Sequence, residues 1–457
     1  MTQPLALSVM RGRVCRAFPP PSDLAFAPEK CLVTHAWISL AVFAACYALF
    51  VILPERRPWT ACAGAAALVL AGVVGWREAL FQKINWNVMG LFFGTLILAE
   101  AFLLSRVPAV MAEWLVDKAP TARAAMLSLC ALSGFISIFV ENVAVVLLVA
   151  PVALSLADKL RANPVPLLIG IAVSSNLQGT ATMIGDPPSM ILAGYMKIGF
   201  WDFFIHKGRL SIFFAVELGA VASLLVLAWV FRRHKEKTAF IAQEAARSWV
   251  PAALLVLLVL GLSVATLVDP DFEWFAGVFT LALGAVCVVW FRWVAKWGGL
   301  RDMGKALDWG TTFFLIGVFV LVGGLSESGW LEKLADAMAG LVGASRFVAF
   351  AAITLFAVGV SGFVDNVPFL LAMIPVAQTV AEKMQAPEPL LLFGLLVGAC
   401  LGGNLTPIGA SANVVTLGIL KKRGHATGFW PFMRIGIPFT AAAVLAACAL
   451  VWVVWNK

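Results

Sequence analysis

The chain has 457 residues, 61% hydrophobic and 13% charged, with mean hydropathy +0.94 and net charge +8. Soluble domains carry about 25% charged residues, so the composition excludes a soluble globular protein. Long apolar runs also exclude a β-barrel, whose strands alternate in ~10-residue segments; the fold class is an all-α polytopic membrane protein, and the basic excess marks cytoplasmic loops rather than nucleic-acid binding.

Residues 1–30 lack the apolar centre of a signal peptide and read as an N-terminal tail, with Met10 an alternative start. Apolar spans follow at 32–53, 59–76, 85–104, 209–231, 249–268, 272–294, 308–326 and 431–455, each near the ~20 residues that a crossing needs. Stretches 166–197 and 390–420 are long enough to cross but hold Gly, Pro and polar clusters. Two more, 121–158 and 346–384, are apolar with a polar interruption at the centre. The reading is about ten crossings plus two re-entrant hairpins, arranged as a first transmembrane repeat at 31–231, a cytoplasmic linker at 232–248 and a second repeat at 249–457.

Duplication is visible in the residues. SIFVENVAVVLLVAPVALSLADKL (137–160) aligns with SGFVDNVPFLLAMIPVAQTVAEKM (361–384), eleven of twenty-four positions being identical at an offset of 365 − 141 = 224. The same register carries GTATMIGDPPS (179–189) onto GNLTPIGASAN (403–413). If each hairpin returns to its own side, five crossings separate the two. Five is odd, so the hairpins enter from opposite faces, an inverted-topology repeat of the kind found in secondary transporters. With 232–248 inside, the inside loops, including Arg56 and Arg57, hold twenty of the 33 Lys and Arg, as the positive-inside rule requires. Arg11, Arg13, Arg16 and Lys30 run against it.

Glu141-Asn142 and Asp365-Asn366 fall at the predicted hairpin tips, inside apolar runs. A charge at that depth costs ~2.5–3.5 kcal/mol on insertion scales. The pairs read as intramembrane groups that hold Na⁺ or carry protons, and also as caps for the second limb of each hairpin. The Gly- and Pro-broken segments place backbone dipoles in the bilayer, which is tolerated where protein or a wet cavity surrounds them. Asp186, before Pro187-Pro188, reads as a further site acid or a turn cap. Glu100 and Glu217 lack acidic partners in the other repeat and read as structural or interfacial. The eight cysteines are scattered packing residues, not a metal or disulfide framework. No nucleophile elbow, zinc motif or phosphate loop is present, so the chain does not read as an enzyme or an ATP-driven pump, and no cofactor is expected.

FVENVAVVLLVAPV, GTATMIGDPPS, DNVPFLLAMIPV and GACLGGNLTPIGASANVV resemble signature stretches of the ion transporter superfamily, in the branch of arsenite permeases, NhaD-type sodium/proton antiporters, the melanosomal P protein and citrate-transporter-like permeases. The resemblance covers 35–455. It implies a homodimer in a plasma or bacterial inner membrane, each subunit moving a transport domain like an elevator against a scaffold. It also implies a shared ion and substrate site made by Glu141 and Asn142, Thr180, Thr182, Gly185 and Asp186, Asp365 and Asn366, and Asn404, Thr406, Gly409, Ser411 and Asn413, with Na⁺ near the two tip pairs. The sequence departs from the pattern at Ser189, where the branch has Asn, and at Glu141, where many relatives have Asp. The reading is a secondary active transporter of a small ion, coupled to H⁺ or Na⁺; an organic-anion symporter is the alternative substrate reading, and a passive channel the alternative class.

Overall fold

The computed structural model describes residues 29–237, 245–343, 345–425 and 427–457. Most of the expected tail and the middle of the linker, 238–244, lie outside the described residues. The first ten helices are α1 (Glu29–Ile52), α2 (Arg57–Leu70), α3 (Trp76–Glu78), α4 (Trp86–Leu104), α5 (Val107–Lys118), α6 (Ala122–Ser137), α7 (Asn142–Lys159), α8 (Val165–Gln178), α9 (Pro187–Met196) and α10 (Ile212–Val230). The next ten are α11 (Val250–Val268), α12 (Phe275–Val289), α13 (Leu300–Ala306), α14 (Trp309–Glu327), α15 (Trp330–Val342), α16 (Arg346–Ser361), α17 (Asn366–Lys383), α18 (Glu388–Gly402), α19 (Ser411–Lys422) and α20 (Phe429–Trp455). The chain is an all-α polytopic membrane protein. Its described strands are a two-residue ribbon, Ile205–His206 against Arg209–Leu210, closed by Lys207 and Gly208 at positive φ.

The sequence offset recurs in the helix bounds: α6 and α16 start at 122 and 346, α7 and α17 at 142 and 366, α9 and α19 at 187 and 411. Helix α2 differs from expectation. It ends at Leu70, where Gly72 adopts φ 72°, so its 14 residues fall short of the 59–76 span. Nine described helices or helix runs are long and apolar enough to cross a bilayer, and α7 is among them.

Packing shows how α7 runs. Cys130 lies beside Gly170 and Gly134 beside Gln178, so α6 and α8 are parallel. Asn142 meets Ser175 and Asn176, while Ala150 and Leu154 pack with Leu168, so α7 and α8 are antiparallel. Helix α7 therefore folds back along α6 through a tip at 138–141. The second half repeats this: Phe350 lies beside Gly394 and Val358 beside Gly402, and Gln378 near the end of α17 donates to Glu388 at the start of α18. The halves touch at equivalent positions. Asn176 Nδ2 donates to the Cys400 carbonyl at 3.0 Å, and Gly219 lies against the Ala443 carbonyl; 400 − 176 and 443 − 219 both equal 224. Contact between equivalent residues is what a local two-fold axis requires.

Around this centre, α4 packs on α12 and α2 on α14. Both pairs are close because small residues meet backbone: a Cβ on Gly94 would lie 2.6 Å from the Thr280 carbonyl group, and one on Gly317 would strike Ala61. The α11–α12 loop is clasped by Asp269, which accepts from the N–H groups of Glu273, Trp274 and Phe275 at 3.0, 2.8 and 2.8 Å. Burial works against that charge, but the three donors outweigh it and hold the carboxyl below its ordinary value of 3.8.

Gly94→Ala is expected to destabilise the protein by about 1–3 kcal/mol through overpacking, reversing the ~1 kcal/mol gain that Gly→Ala gives in an open helix. Gly304→Ala, with nothing within 4 Å of its added carbon, is the control; thermal unfolding in detergent measures both. Because the folded Asp269 pKa is depressed, its stabilisation is full above the unfolded aspartate's pKa and is lost as pH falls below 3.8. Asp269→Asn should flatten that acid limb in unfolding followed from pH 6 to 3.

Candidate functional site

A cavity of about 240 Å³ lies where six helices begin. Its wall takes Arg57 from the start of α2, Glu141 and Asn142 from α7, Asp186 and Pro187 from α9, Asp308 and Thr311 from α14, Asp365 and Asn366 from α17, and Ala410 and Ser411 from α19. A helix start carries about +0.5 charge and N–H groups without intrahelical partners. The acids answer this directly. Glu141 Oε2 accepts from Ala144 N at 3.2 Å, Asp365 Oδ1 from Val367 N at 3.1 Å and Asp308 Oδ1 from Thr311 N at 2.9 Å. Helices α9 and α19 have no side-chain cap. Asp186, at the cap position of α9, keeps Oδ2 without a hydrogen-bond partner and lies beside Asn366.

Arg57, expected in a cytoplasmic loop as a topology signal, stands in this wall instead. Its Nη1 donates to Asp365 Oδ2 at 2.9 Å and its Nε to the Phe50 carbonyl at 3.1 Å. Glu55 lines the same space. The wall thus carries five carboxylates, Glu55, Glu141, Asp186, Asp308 and Asp365, and one guanidinium. Sequence reasoning missed Arg57, Glu55 and Asp308 because charges beside a predicted span read as loop charges.

Behind the wall, Asn142 Nδ2 donates to Asn176 Oδ1 at 2.9 Å, Asn176 Nδ2 donates to Asn404 Oδ1 at 3.1 Å, and Asn404 Nδ2 donates to the Val173 carbonyl at 3.0 Å. This chain of amides crosses between the halves. Asn176 was also missed, although the polar run SSNLQ (174–178) inside a predicted crossing was a signal.

The thirteen expected site residues divide. Glu141, Asn142, Asp186, Asp365, Asn366 and Ser411 reach the cavity. Thr180, Thr182, Gly185, Asn404, Thr406, Gly409 and Asn413 do not line it. Thr182 Oγ1 donates to the Ile138 carbonyl at 2.5 Å, and Thr406 Oγ1 donates to the Gly362 carbonyl, each tying a broken-helix loop to a hairpin tip. Asn413 Nδ2 donates to the carbonyls of Gly403 and Thr406, both at 3.0 Å, while Ser189 closes the matching loop through the Thr180 carbonyl alone at 3.3 Å. The departure at Ser189 therefore costs one loop bond. A Cβ at Gly185 or Gly409 would strike backbone carbonyls, so these positions permit a close backbone approach that a side chain would block. Among the described residues no three His, Cys, Asp or Glu side chains come together as a metal-binding group; the two hairpin-tip acids instead hold separate partners.

A family model described as "Citrate transporter" matches residues 47–397 and 272–457. The chain belongs to the citrate transporter family. It is 30% identical over 428 residues to an uncharacterized transporter of Mycobacterium tuberculosis, covering 91% of this chain and 98% of that one. The 46 kDa membrane protein of Mycobacterium leprae is 30% identical over 426 residues, with 91% and 98% covered. The human P protein is 26% identical over 513 residues, covering 93% of this chain and 61% of that protein. The crystal structure of the Alcanivorax borkumensis YdaH transporter superposes with a TM-score of 0.58 at 13% identity, covering 93% of this chain and 98% of that one, and shares the fold. The protein is a membrane transporter of this family.

Replacing Asn176 with Ala would leave Asn142 Nδ2 and Asn404 Oδ1 without their partner. Interhelical hydrogen bonds in membranes average ~0.6 kcal/mol and reach ~1.7, so the double loss should cost about 1–2 kcal/mol in reversible unfolding, and Asn176→Asp should cost more by adding a buried charge.

Proposed function

We propose that this transporter is a secondary active one, moving a small ion across the membrane coupled to H⁺ or Na⁺. The observation that carries this is the cavity where six helix starts meet five carboxylates and a single arginine. With all acids ionised its formal balance is four negative charges, five minus one. Glu55 and Asp308 are exposed, whereas Asp186 is buried and Glu141 and Asp365 are half-buried; unpaired charge of one sign is expensive out of water, so loading cations or protons on Glu141, Asp186 and Asp365 brings the site toward neutrality. Such a site holds ions in one state and releases them in another. The antiparallel hairpins and the 224-residue offset support entry of the two tips from opposite membrane faces, with 232–248 cytoplasmic, in a plasma or bacterial inner membrane. That arrangement suits an elevator-type movement, in a homodimer, of the hairpins and broken helices against a scaffold holding α2 and α14. The Arg57–Asp365 pair would then span the moving and fixed parts.

A citrate-like organic anion carried with cations is the second reading for the substrate. Arg57 and the start of α19, whose cap position is Ala410 and so offers no side-chain oxygen, favour it. The cavity of about 240 Å³ lies under the 300–1,000 Å³ common for larger ligands and favours a small solute.

Flux into proteoliposomes under imposed pH and Na⁺ gradients tests the proposal. Glu141→Gln, Asp186→Asn and Asp365→Asn should each reduce gradient-driven uptake at least tenfold, and Arg57→Gln should change its pH dependence. Uptake that ignores both gradients, or survives all three carboxylate changes, would sink coupled transport. Thermal shifts with citrate, dicarboxylates, arsenite, sulfate and Na⁺ distinguish the substrate readings, since a ligand of the native state raises its stability.

A further inference from the structure

A second cavity, about 360 Å³, lies between α6, α8 and α10, with Phe439 of α20 also in its wall. It shares no lining residue with the first. Most of its wall is apolar, including Phe135, Phe213, Ala220 and Leu224. Phe135 and Val221, on its rim, are exposed, on the apolar surface that a membrane protein turns to lipid.

Three oxygens in this apolar wall have no hydrogen-bond partner: Glu217 Oε1, Gln178 Oε1 and Ser174 Oγ. Ser174 is only 6% exposed. It sits one turn before Gln178 on α8, so the two side chains share a face. Gln178 Nε2 donates to Glu217 Oε2 at 3.1 Å. That bond commits the amide's donor to the carboxylate and leaves its carbonyl, the other carboxylate oxygen and the serine without partners. A buried acceptor left without a donor is costly, and three in one cavity point to a missing donor.

The second half of the chain is an internal control. At positions 224 residues on stand Gly398, Gly402 and Ala441. There Gly398 and Gly402 pack directly on the backbone of Thr354 and Val358, so α16 and α18 meet with no side chain at the positions that carry Ser174 and Gln178 in the first half. The duplicated fold therefore does not require these three oxygens.

We infer that this cavity binds an amphiphile with an apolar body and a protonated amine head. An ammonium group offers three donors and no acceptor, matching three free oxygens, and its charge offsets Glu217. The apolar body fills the rest of a pocket with the usual make-up of a ligand site, apolar walls and a few convergent polar groups. A bare metal ion would leave those walls unfilled. Glu217 is five residues into α10, which begins at Ile212, or ~8 Å along the helix, a depth an alkylamine reaches from the bilayer side. A membrane lipid with an amine headgroup and a free alkylamine present the same chemistry.

The full chain in phosphatidylcholine nanodiscs, titrated with labelled dodecylamine, tests this. Saturable binding is expected, at least tenfold tighter than for dodecyltrimethylammonium, which has no donor, or for dodecanol, which has no charge. Glu217→Gln should weaken it at least tenfold, and Ala220→Phe, which fills the cavity, should abolish it. If Ala220→Phe does not fold, the isosteric Glu217→Gln decides alone. Native mass spectrometry of protein taken from phosphatidylethanolamine membranes separates the sources: a retained lipid displaced by dodecylamine assigns the lipid, and dodecylamine binding without one assigns the free amine. Equal binding by wild type and Glu217→Gln, or equal stabilisation by NaCl, overturns the proposal.

Discussion

A helix that begins or ends inside a bilayer exposes backbone groups that no solvent can satisfy. Here six helices begin around one cavity, and much of the surrounding structure meets that demand. Acids cap α7, α14 and α17. Thr182 and Thr406 tie the broken loops to the hairpin tips, and Asn413 and Ser189 close those loops on themselves. The glycines at 185 and 409 let carbonyls approach where a side chain would not fit. Without these contacts the breaks in α8–α9 and α18–α19 would be uncompensated defects.

The same carboxylates therefore carry two duties. Glu141 and Asp365 satisfy helix starts, and they also hold charge in the cavity. Neutralising either one weakens a cap that organises its hairpin; at Asp365 it also loosens the bond to Arg57. On the proposed mechanism this joins ion loading to movement without a separate relay, because Asp365 is on a hairpin tip and Arg57 is on α2. The amide chain Asn142–Asn176–Asn404 differs, a contact between halves made of groups that carry no charge at any pH.

Much of the architecture was legible in the residues because the bilayer makes hydropathy decisive. Apolar length gave α4, α10, α11 and α14 close to their bounds, and the 224-residue register gave equivalent helix starts before any coordinates. The tip acids were legible because a charge inside an apolar run is costly. Helix α2 was read too long because hydropathy cannot see that Gly72 ends it. Seven of the thirteen expected site residues do not line the cavity: polarity in a broken helix marks an exposed backbone, but it does not tell whether a side chain faces a cavity or bonds the break. Thr182, Thr406 and Asn413 do the repair.

The sequence by itself determined that this chain spans a membrane, that one register of 224 residues relates its two halves, and which acids interrupt apolar runs. All three follow from local cost, one residue against lipid or one register against its copy. Only the tertiary structure decided which of those residues share a cavity. Arg57 and Asp365 are 308 positions apart, and Asn176 touches Cys400, its own equivalent. Nothing local encodes either contact. They arise where the two halves of the chain meet, and there an arginine that hydropathy assigned to a loop becomes the partner of a hairpin-tip acid.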